Sequence, residues 1–288
     1  MKVSSRPVGS ADPFPASSKR ALPYVFWLVF GVSLLLSLRI AQVDPRALFS
    51  GDARANVVKF IRGTFPPDLS PDFLRLMAGP VAETLQISVA GTAIAVLIGL
   101  PLGLVATSTL TWSGILHERR RRSGRLLGFV PYAAARGLLS VFRSIPEFVW
   151  AFMFVRAVGL GAFPGVLAIG VAYGGMLGKV YSEILEGVSP QPLETLQAAG
   201  ARRLPLVMYG VLPQALPAFI SYTLYRWECA IRASAILGFV GAGGLGQQIE
   251  LSMRMFNFHE VLTLLGFLWV LVATVDAISA VIRRKVVR

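Results

Sequence analysis

The sequence predicts an all-α membrane protein whose chain crosses the bilayer as six transmembrane helices. Of its 288 residues, 55% are hydrophobic and only 15% are charged, and the mean hydropathy is +0.64. This composition is too apolar for a soluble domain and is typical of a polytopic membrane protein. Six apolar runs have lengths near the roughly 20 residues that a helix needs to cross a bilayer. They cover residues 24–41, 81–107, 138–160, 163–181, 214–240 and 260–282.

The excess of basic residues indicates how these helices are oriented. The formal net charge is +13, which in a soluble protein would suggest nucleic-acid binding. In a membrane protein the same excess is expected on the cytoplasmic side. Six spans bring both termini to one side of the membrane, and the basic segments all fall on that side. These segments are the N-terminus, the run at residues 119–125, the loop at 189–213 and the C-terminal tail.

We therefore expect a multi-pass protein of the plasma (inner) membrane with both termini in the cytoplasm. The run at 119–125 is expected to contact anionic lipid headgroups, with a nucleic-acid patch as the alternative. Residues 1–23 are rich in Ser, Pro and basic side chains and predict a disordered cytoplasmic N-terminus. Residues 24–288 then form the transmembrane domain. A cleavable signal peptide is the alternative for residues 24–41, but no small-x-small cleavage site follows them.

Individual spans have features that bear on packing. Pro101 lies inside the second span, where a proline usually kinks a helix against its neighbours. The third span is short and contains Glu147. The fourth is rich in glycines, and small residues let helix backbones approach each other closely. A semi-apolar helix at residues 126–143 is expected to lie along the membrane or to enter it.

The loop at residues 189–213 is polar and basic and lies between two long apolar runs. It predicts two short helices broken at a glycine. Pro190 lies where a first-turn proline is tolerated, and Gly200 falls where the end of a helix commonly needs a residue at positive φ. Helix restarts at residues 204–205. Pro213 ends the segment, because proline cannot continue the hydrogen-bond ladder.

The spacing within this loop resembles the cytoplasmic coupling loop of ABC-importer permeases, and an ordinary amphipathic loop is the alternative. The family motif has Glu-Ala-Ala, a glycine six residues after the Glu, and then a long gap to Leu-Pro. The sequence departs from it at Thr195, Leu196 and Gly210. Residues 83–86, 99–103 and 209–214 instead resemble one branch, the phosphonate-uptake permeases. The residues that the resemblance assigns to coupling with an ATPase are Glu194, Ala198, Ala199, Gly200, Arg202, Arg203, Leu212 and Pro213.

A second motif is the glycine run at residues 241–246, which satisfies G-x-G-x-x-G. A dinucleotide-binding site would require a soluble βαβ unit around this run, whereas here it closes an apolar span. The run resembles a signature shared by phosphonate and methionine importer permeases, which connects the fifth span to an outer re-entrant or gating helix. The gating glycines implied by the resemblance are Gly241, Gly243, Gly244 and Gly246.

Phosphate-loop, metal and disulfide chemistry are not expected. Residues 174–180 hint at a phosphate loop, but they lie in a span, and Val180 replaces the Ser or Thr that would hold magnesium. The two histidines, His117 and His259, lie far apart in the sequence and beside no Cys or carboxylate array with ligand spacing, which argues against a metal site. Cys229 is the single cysteine, so no intramolecular disulfide can form.

Three ionisable residues, Arg226, Glu228 and Arg232, lie within the fifth span. Charged side chains in a span are costly and usually face the bundle interior or a water path. Glu228 and Arg232 are four residues apart and share one helix face. They predict either a structural ion pair or a substrate path in which Arg232 attracts an anion. Arg143 and Glu147, at the third span, present the same two alternatives.

The resemblance implies the permease subunit of an ATP-driven ABC importer that works by alternating access. No catalytic residue and no bound cofactor or metal is expected on this chain, since ATP and Mg bind to a separate ATPase subunit in that family. The implied partners are a second permease in a homodimer, two cytoplasmic ABC ATPase subunits, an extracytoplasmic substrate-binding protein and membrane lipid. Substrates of the branch are phosphonates, phosphite or related phosphorus oxyanions.

Two alternatives stay open on the sequence alone. One is an ABC permease for methionine or another amino acid, which would share the coupling loop. The other is a stand-alone channel or secondary transporter. The coupling loop argues against this second alternative, because a carrier that works alone has no ATPase to engage.

Overall fold

The structure is a computed structural model that describes residues 18–42, 50–111 and 122–286. Every regular element in these ranges is a helix, which confirms the all-α prediction. Disorder was predicted for residues 1–23 and lipid contact for residues 119–125. Residues 1–17 and 119–121 lie outside the described ranges, whereas residues 18–23 are helical. The helices are α1 (Ser18–Ile40), α2 (Gly51–Thr64), α3 (Pro71–Val105), α4 (Ser108–Thr111), α5 (Arg122–Ser144), α6 (Glu147–Val158), α7 (Ala162–Glu186), α8 (Pro190–Ala198), α9 (Arg203–Pro205), α10 (Leu212–Gly238), α11 (Gly244–Arg254) and α12 (Phe258–Val286). A π-helical segment, Leu206–Val211, joins α9 to α10.

The chain forms two compact units, residues 1–60 and 61–288. The first contains α1, whose stretch Pro23–Ile40 is 18 residues long, apolar and exposed along its length. A helix of this length and composition suits a bilayer, in keeping with the predicted span at 24–41. The second unit holds α3 to α12 and every other motif singled out in the sequence.

Four described helices are long and apolar enough to cross a membrane: Pro23–Ile40, α3, α7 and α12. A fifth candidate is the pair formed by Gly128–Ser144 and α6, which is bent by 87°. Helix α10 has 27 residues but is not among these candidates, and it carries the three ionisable residues of the predicted fifth span. The protein is therefore a multi-pass membrane protein, and the count of six spans stays a prediction.

The centre of the second unit is a close backbone contact between α3 and α7. A Cβ added at Gly99 would lie 2.9 Å from the carbonyl oxygen of Gly174 and 3.0 Å from the amide nitrogen of Gly178. The two helices therefore touch through their backbones, as the glycine-rich fourth span predicts. Small residues recur at every fourth or eighth position along this contact: Gly91, Gly99 and Gly103 on α3, and Gly170, Gly174 and Gly178 on α7.

Helices α5 and α6 form one broken helix instead of a straight span at 138–160. Pro146 precedes α6 and cannot donate the hydrogen bond that would continue α5. Gly175 on α7 makes room for the break, because a Cβ there would lie 2.6 Å from Cβ of Phe142. The indole N–H of Trp150 donates to the Phe142 carbonyl across the break, at 3.3 Å. The break is thus built into the packing against α7.

We call the two ends of the second unit the loop end and the glycine end. At the loop end, α7 finishes at Glu186 and the loop at residues 189–213 follows. At the glycine end lies the run 241–246, where the Gly161 N–H donates to the Gly241 carbonyl at 2.9 Å. Helix α10 runs from the loop end to the glycine end, while α3 and α7 run in the opposite direction.

Replacing Gly99 by alanine should destabilise the protein, because the added methyl group meets backbone atoms of α7 that cannot rotate away. Overpacking of this kind typically costs about 1–3 kcal/mol. Gly79→Ala is the matched control on the same helix, since nothing lies within 4 Å of its Cβ position. That variant should be neutral or gain stability from helix propensity. The midpoint of thermal unfolding in detergent compares them, and equal midpoints would contradict the backbone contact.

Candidate functional site

The loop at residues 189–213 folds as two helical pieces that meet at Gly200, as the sequence predicts. Helix α8 ends in a Schellman motif. The Gly200 N–H donates to the Gln197 carbonyl at 2.9 Å, and the Ala201 N–H donates to the Leu196 carbonyl at 3.0 Å. Gly200 has φ = +85°, and no atom lies within 4 Å of its Cβ position. The requirement for glycine is therefore one of backbone conformation and not of space.

Gly210, where the loop departs from the family motif, packs closely against helix α8. Gly210 lies in the π-helical segment, and a Cβ there would lie 2.5 Å from Cδ2 of Leu193 and 3.3 Å from Cδ1 of Leu196. The two leucines of α8 thus occupy the space that a side chain at 210 would need. The carbonyl of Gly210 accepts a hydrogen bond from Nε2 of Gln214, at 2.7 Å. The loop is a packed unit and not a flexible linker.

The outer surface of this loop is exposed and partly apolar. Leu204, Met208 and Tyr209 are 72%, 51% and 76% exposed. Exposed apolar side chains that lie together commonly mark a protein interaction site. The predicted coupling residues with exposed side chains on this surface are Glu194, Ala198, Ala199, Arg202 and Pro213.

An ion pair anchors the bundle beside this loop. Nη2 of Arg136 on α5 donates to both oxygens of Glu186, at 2.8 and 2.9 Å, and its Nε donates to the Ala106 carbonyl at 3.1 Å. The Ser108 N–H also donates to Glu186, at 2.8 Å. These bonds join α4, α5 and the end of α7, so the position of the loop depends on the helices that carry the broken span.

At the glycine end, a carboxylate of α3 caps the start of α11. The Gly244 N–H donates to Oε2 of Glu83 at 2.8 Å, and the Leu245 N–H donates to Oγ1 of Thr84 at 2.8 Å. Gly243 and Gly244 have φ of +81° and +71° and leave no room for a Cβ against these two side chains. A carboxylate at a helix N-terminus is favourable because the free N–H groups there carry partial positive charge.

The remaining glycines of the run fit the same junction. Gly241, at φ = +87°, terminates α10, and the next N–H, of Ala242, donates to the Leu237 carbonyl at 3.2 Å. A Cβ at Gly246 would overlap the carbonyl oxygen of Ala235. The glycine run therefore permits a tight turn from α10 into α11 and close packing between them.

The predicted ion pair between Glu228 and Arg232 is wrong. Glu228 is buried and accepts a hydrogen bond from Nη2 of Arg283, on α12, at 2.6 Å. Arg232 is exposed, and its Nη2 lies 3.5 Å from Sγ of Cys229. Glu228 and Arg232 lie one turn apart on α10, but the approach of α12 supplies a different cation on the buried side of that helix.

Arg143 and Glu147, on either side of the α5–α6 break, form no ion pair with each other in the described part of the chain. Arg143 is exposed and Glu147 is partly buried.

The exposed side of α10 carries Tyr225 and Arg232, and the exposed Phe239 directly follows the helix. The three residues are spaced seven apart, so that they form one stripe. Arg143 and Arg232 are therefore both exposed on the surface of the single chain.

Arg226 lies in a cluster of tyrosines that sequence analysis did not find. Its guanidinium carbon is 5.3 Å from the ring centre of Tyr173, 5.5 Å from that of Tyr222 and 5.9 Å from that of Tyr225. Its Nε donates to the Tyr222 hydroxyl at 3.0 Å. Tyr222 and Tyr225 lie four and one residues before Arg226, a spacing visible in the sequence, whereas Tyr173 comes from α7 and depends on the fold.

A second cluster missed by the sequence joins Asp68, His259 and Glu260, whose ligand-capable atoms lie within 4.8 Å of one another. The long separation of Asp68 from the others along the chain hid it. The backbone N–H of Ser70 donates to the Asp68 carboxylate at 2.9 Å and lowers the pKa of that group. Glu260 accepts a hydrogen bond from Ser252 at 2.7 Å. Both carboxylates thus have protein partners, and the cluster ties the start of α12 to the segment before α3.

A cavity of about 670 Å³ opens at the glycine end, between α6, the end of α10 and α11. Arg156 lies over the ring of Phe152 at 5.6 Å, and Arg254 pairs with Glu250. The cavity therefore combines apolar walls with charged and polar groups. The side chains that give it this character are Phe152, Arg156, Phe239, Gln247, Glu250 and Arg254.

Comparisons with known proteins agree with this architecture. Residues 99–288 match the family described as "Binding-protein-dependent transport system inner membrane component". The chain is 37% identical to the phosphite transport system permease protein PtxC of Stutzerimonas stutzeri, over 89% of this chain and 86% of that protein. It is 31% identical to the phosphate-import permease protein PhnE of Mycolicibacterium smegmatis, over 83% of this chain and 42% of that protein.

A solved structure shares the fold. The inward-facing MetNI methionine ABC transporter matches with a TM-score of 0.63 and 25% identity, over 76% of this chain and all of the matched chain. The helical bundle with its exposed loop thus defines a membrane-embedded transport subunit. The chain belongs to the family of binding-protein-dependent transport system inner membrane components, and it is a permease subunit of an ABC importer and not an enzyme.

Proposed function

We propose that this permease imports phosphite, a phosphonate or a related phosphorus oxyanion by alternating access. The observation that carries the proposal is the identity, over most of the chain, to permeases of phosphite and phosphate transport systems. The arginines near the break and on α10 support an anionic substrate, because charge within a span usually serves a transport path. Methionine is the alternative, and it has weaker support, at 27% identity against 37%.

In this proposal the permease works as a homodimer in the inner membrane, with lipid around it. Two cytoplasmic ATPase subunits bind ATP and Mg, and an extracytoplasmic binding protein delivers the oxyanion. Glu228 has a structural role with Arg283, while Arg143, Glu147 and Arg232 line the path. The turn formed by Gly241, Gly243, Gly244 and Gly246, capped by Glu83, positions α11 as a gate at the outer end.

The complex purified with its ATPase should hydrolyse ATP faster when its binding protein carries phosphite than when that protein is empty. Methionine added with the same binding protein is the control and should give no increase. The rate of phosphate release from ATP measures both. The proposed substrate class would be wrong if phosphite, phosphate and methylphosphonate all left the rate unchanged.

The exposed surface of the loop at 189–213 is proposed to seat in the ATPase, so its shape should matter for coupling. Gly200→Val should disrupt the end of α8, because the left-handed backbone at this position costs a non-glycine residue roughly 1–2 kcal/mol. We expect normal membrane levels, with weaker ATPase association or ATP hydrolysis that no longer drives uptake. Gly200→Asn is the matched control, since asparagine tolerates this conformation. Full uptake by Gly200→Val would argue against a coupling role.

The proposed orientation places the loop end in the cytoplasm and residues 42–79 outside. It is tested with single cysteines introduced at Ser70 and at Ala201 in a Cys229→Ser background. A membrane-impermeant thiol reagent applied to intact cells should label the cysteine at 70 and leave that at 201 unlabelled until the membrane is opened. Labelling of position 201 from outside would invert the orientation.

A further inference from the structure

Arg226 differs from the other partly buried arginines of the bundle in what it contacts. Arg136 is neutralised by Glu186 and Arg283 by Glu228, through bonds of 2.6 to 2.9 Å. No carboxylate lies within 4.0 Å of Arg226 in the described ranges. A charge held inside a span without a counter-ion is costly, and such residues usually mark substrate or ion pathways. Its positive charge is therefore available to a ligand.

The tyrosines around Arg226 compensate its charge only partly. A guanidinium over an aromatic ring gains less free energy than the removal of an ion from water costs. The Nε–H is already used by Tyr222. Neither terminal nitrogen has a hydrogen-bond partner among the described residues. These two groups form the planar fork that matches two oxygens of a phosphorus oxyanion.

Tyr173 supplies the second, independent observation. Its residue surface is only 3% exposed, and its hydroxyl makes no hydrogen bond within the part of the chain that the structure describes. The ring lies against Arg226, so this unpartnered hydroxyl and the free guanidinium nitrogens belong to one cluster. A phenolic hydroxyl that has no protein partner can donate a hydrogen bond to a ligand or accept one from it. A ligand oxygen would satisfy both groups at once.

The cluster lies where the backbone of the bundle is interrupted. Glu147, at the start of α6, lies within electrostatic range of the Tyr173 hydroxyl. Non-helical backbone at membrane depth is tolerated where it is covered by protein or lines a cavity. Discontinuous helices also place substrate sites near the middle of the membrane in other transporters.

We propose that Arg226 and Tyr173 form an oxyanion-binding subsite beside the α5–α6 break, with the fork of Arg226 and the Tyr173 hydroxyl binding the oxygens of the transported ion. Tyr222 orients the guanidinium through its Nε. Glu147, a like charge for the ion, keeps the binding weak enough for release. This subsite rests on the proposed function and adds to it the residues that contact the substrate, which differ from the exposed Arg232.

The test is uptake of radiolabelled phosphite by cells that carry the complete transport complex. Arg226→Gln should lower the uptake rate by about tenfold or more, the size expected for a lost charge-assisted hydrogen bond. Arg226→Lys should be intermediate, since it keeps the charge and loses the fork. Tyr173→Phe removes only the hydroxyl and should lower uptake roughly threefold to tenfold. Stimulation of ATP hydrolysis by the binding protein should persist in all three variants.

The control is the double variant Glu228→Gln, Arg283→Gln, which removes the structural pair as a unit. Its uptake per permease in the membrane should exceed that of Arg226→Gln, because no buried charge is left unpaired. Wild-type uptake by both Arg226→Gln and Tyr173→Phe would overturn the subsite. A loss that follows membrane level and ATP hydrolysis alike, with Tyr173→Phe normal, would do the same and leave Arg226 a structural residue. Absence of phosphite uptake in the wild type would overturn the proposed function, and the subsite with it.

Discussion

The backbone contact between α3 and α7 is the constraint on which the rest of the structure depends. Gly99 and Gly178 bring the two helices close enough that no Cβ fits between them. With these helices fixed, α7 offers Gly175 to the α5–α6 break and Tyr173 to Arg226, while α3 offers Glu83 to the start of α11. Features at both ends and at the middle of the bundle are thus positioned by one pair of closely packed helices.

Charge within the helical bundle is divided between two roles by the way the helices pack. Glu228 and Glu186 each meet an arginine from another helix, and these pairs join elements that would otherwise separate. Removing Arg283 would leave the buried carboxylate of Glu228 without its cation, which is destabilising. Arg226, Arg143 and Arg232 have no carboxylate partner in the described ranges, and this unbalanced positive charge suits a path for anions.

The sequence predicted local features well because they depend on neighbours along the chain. The helix break at Gly200 follows from one glycine after a helical run, and its positive φ is confirmed. The glycine content of α7 predicted close packing without naming α3 as the partner. Contacts between distant segments could not be predicted: the Glu228–Arg283 pair replaced the expected one, and Tyr173 reached Arg226 only through the fold. Side-chain spacing defines a helix face, but not which neighbouring helix covers it.

The central claim is that this chain forms a path for a phosphorus oxyanion, and that transport along this path depends on ATP. The most direct measurement is phosphite accumulation in liposomes that contain the purified complex, with ATP on the ATPase side and the binding protein on the other. The account predicts that phosphite accumulates only when ATP and the binding protein are both present. Accumulation that proceeds without ATP would contradict it and indicate a stand-alone carrier, and ATP-driven accumulation of methionine with none of phosphite would contradict the substrate class.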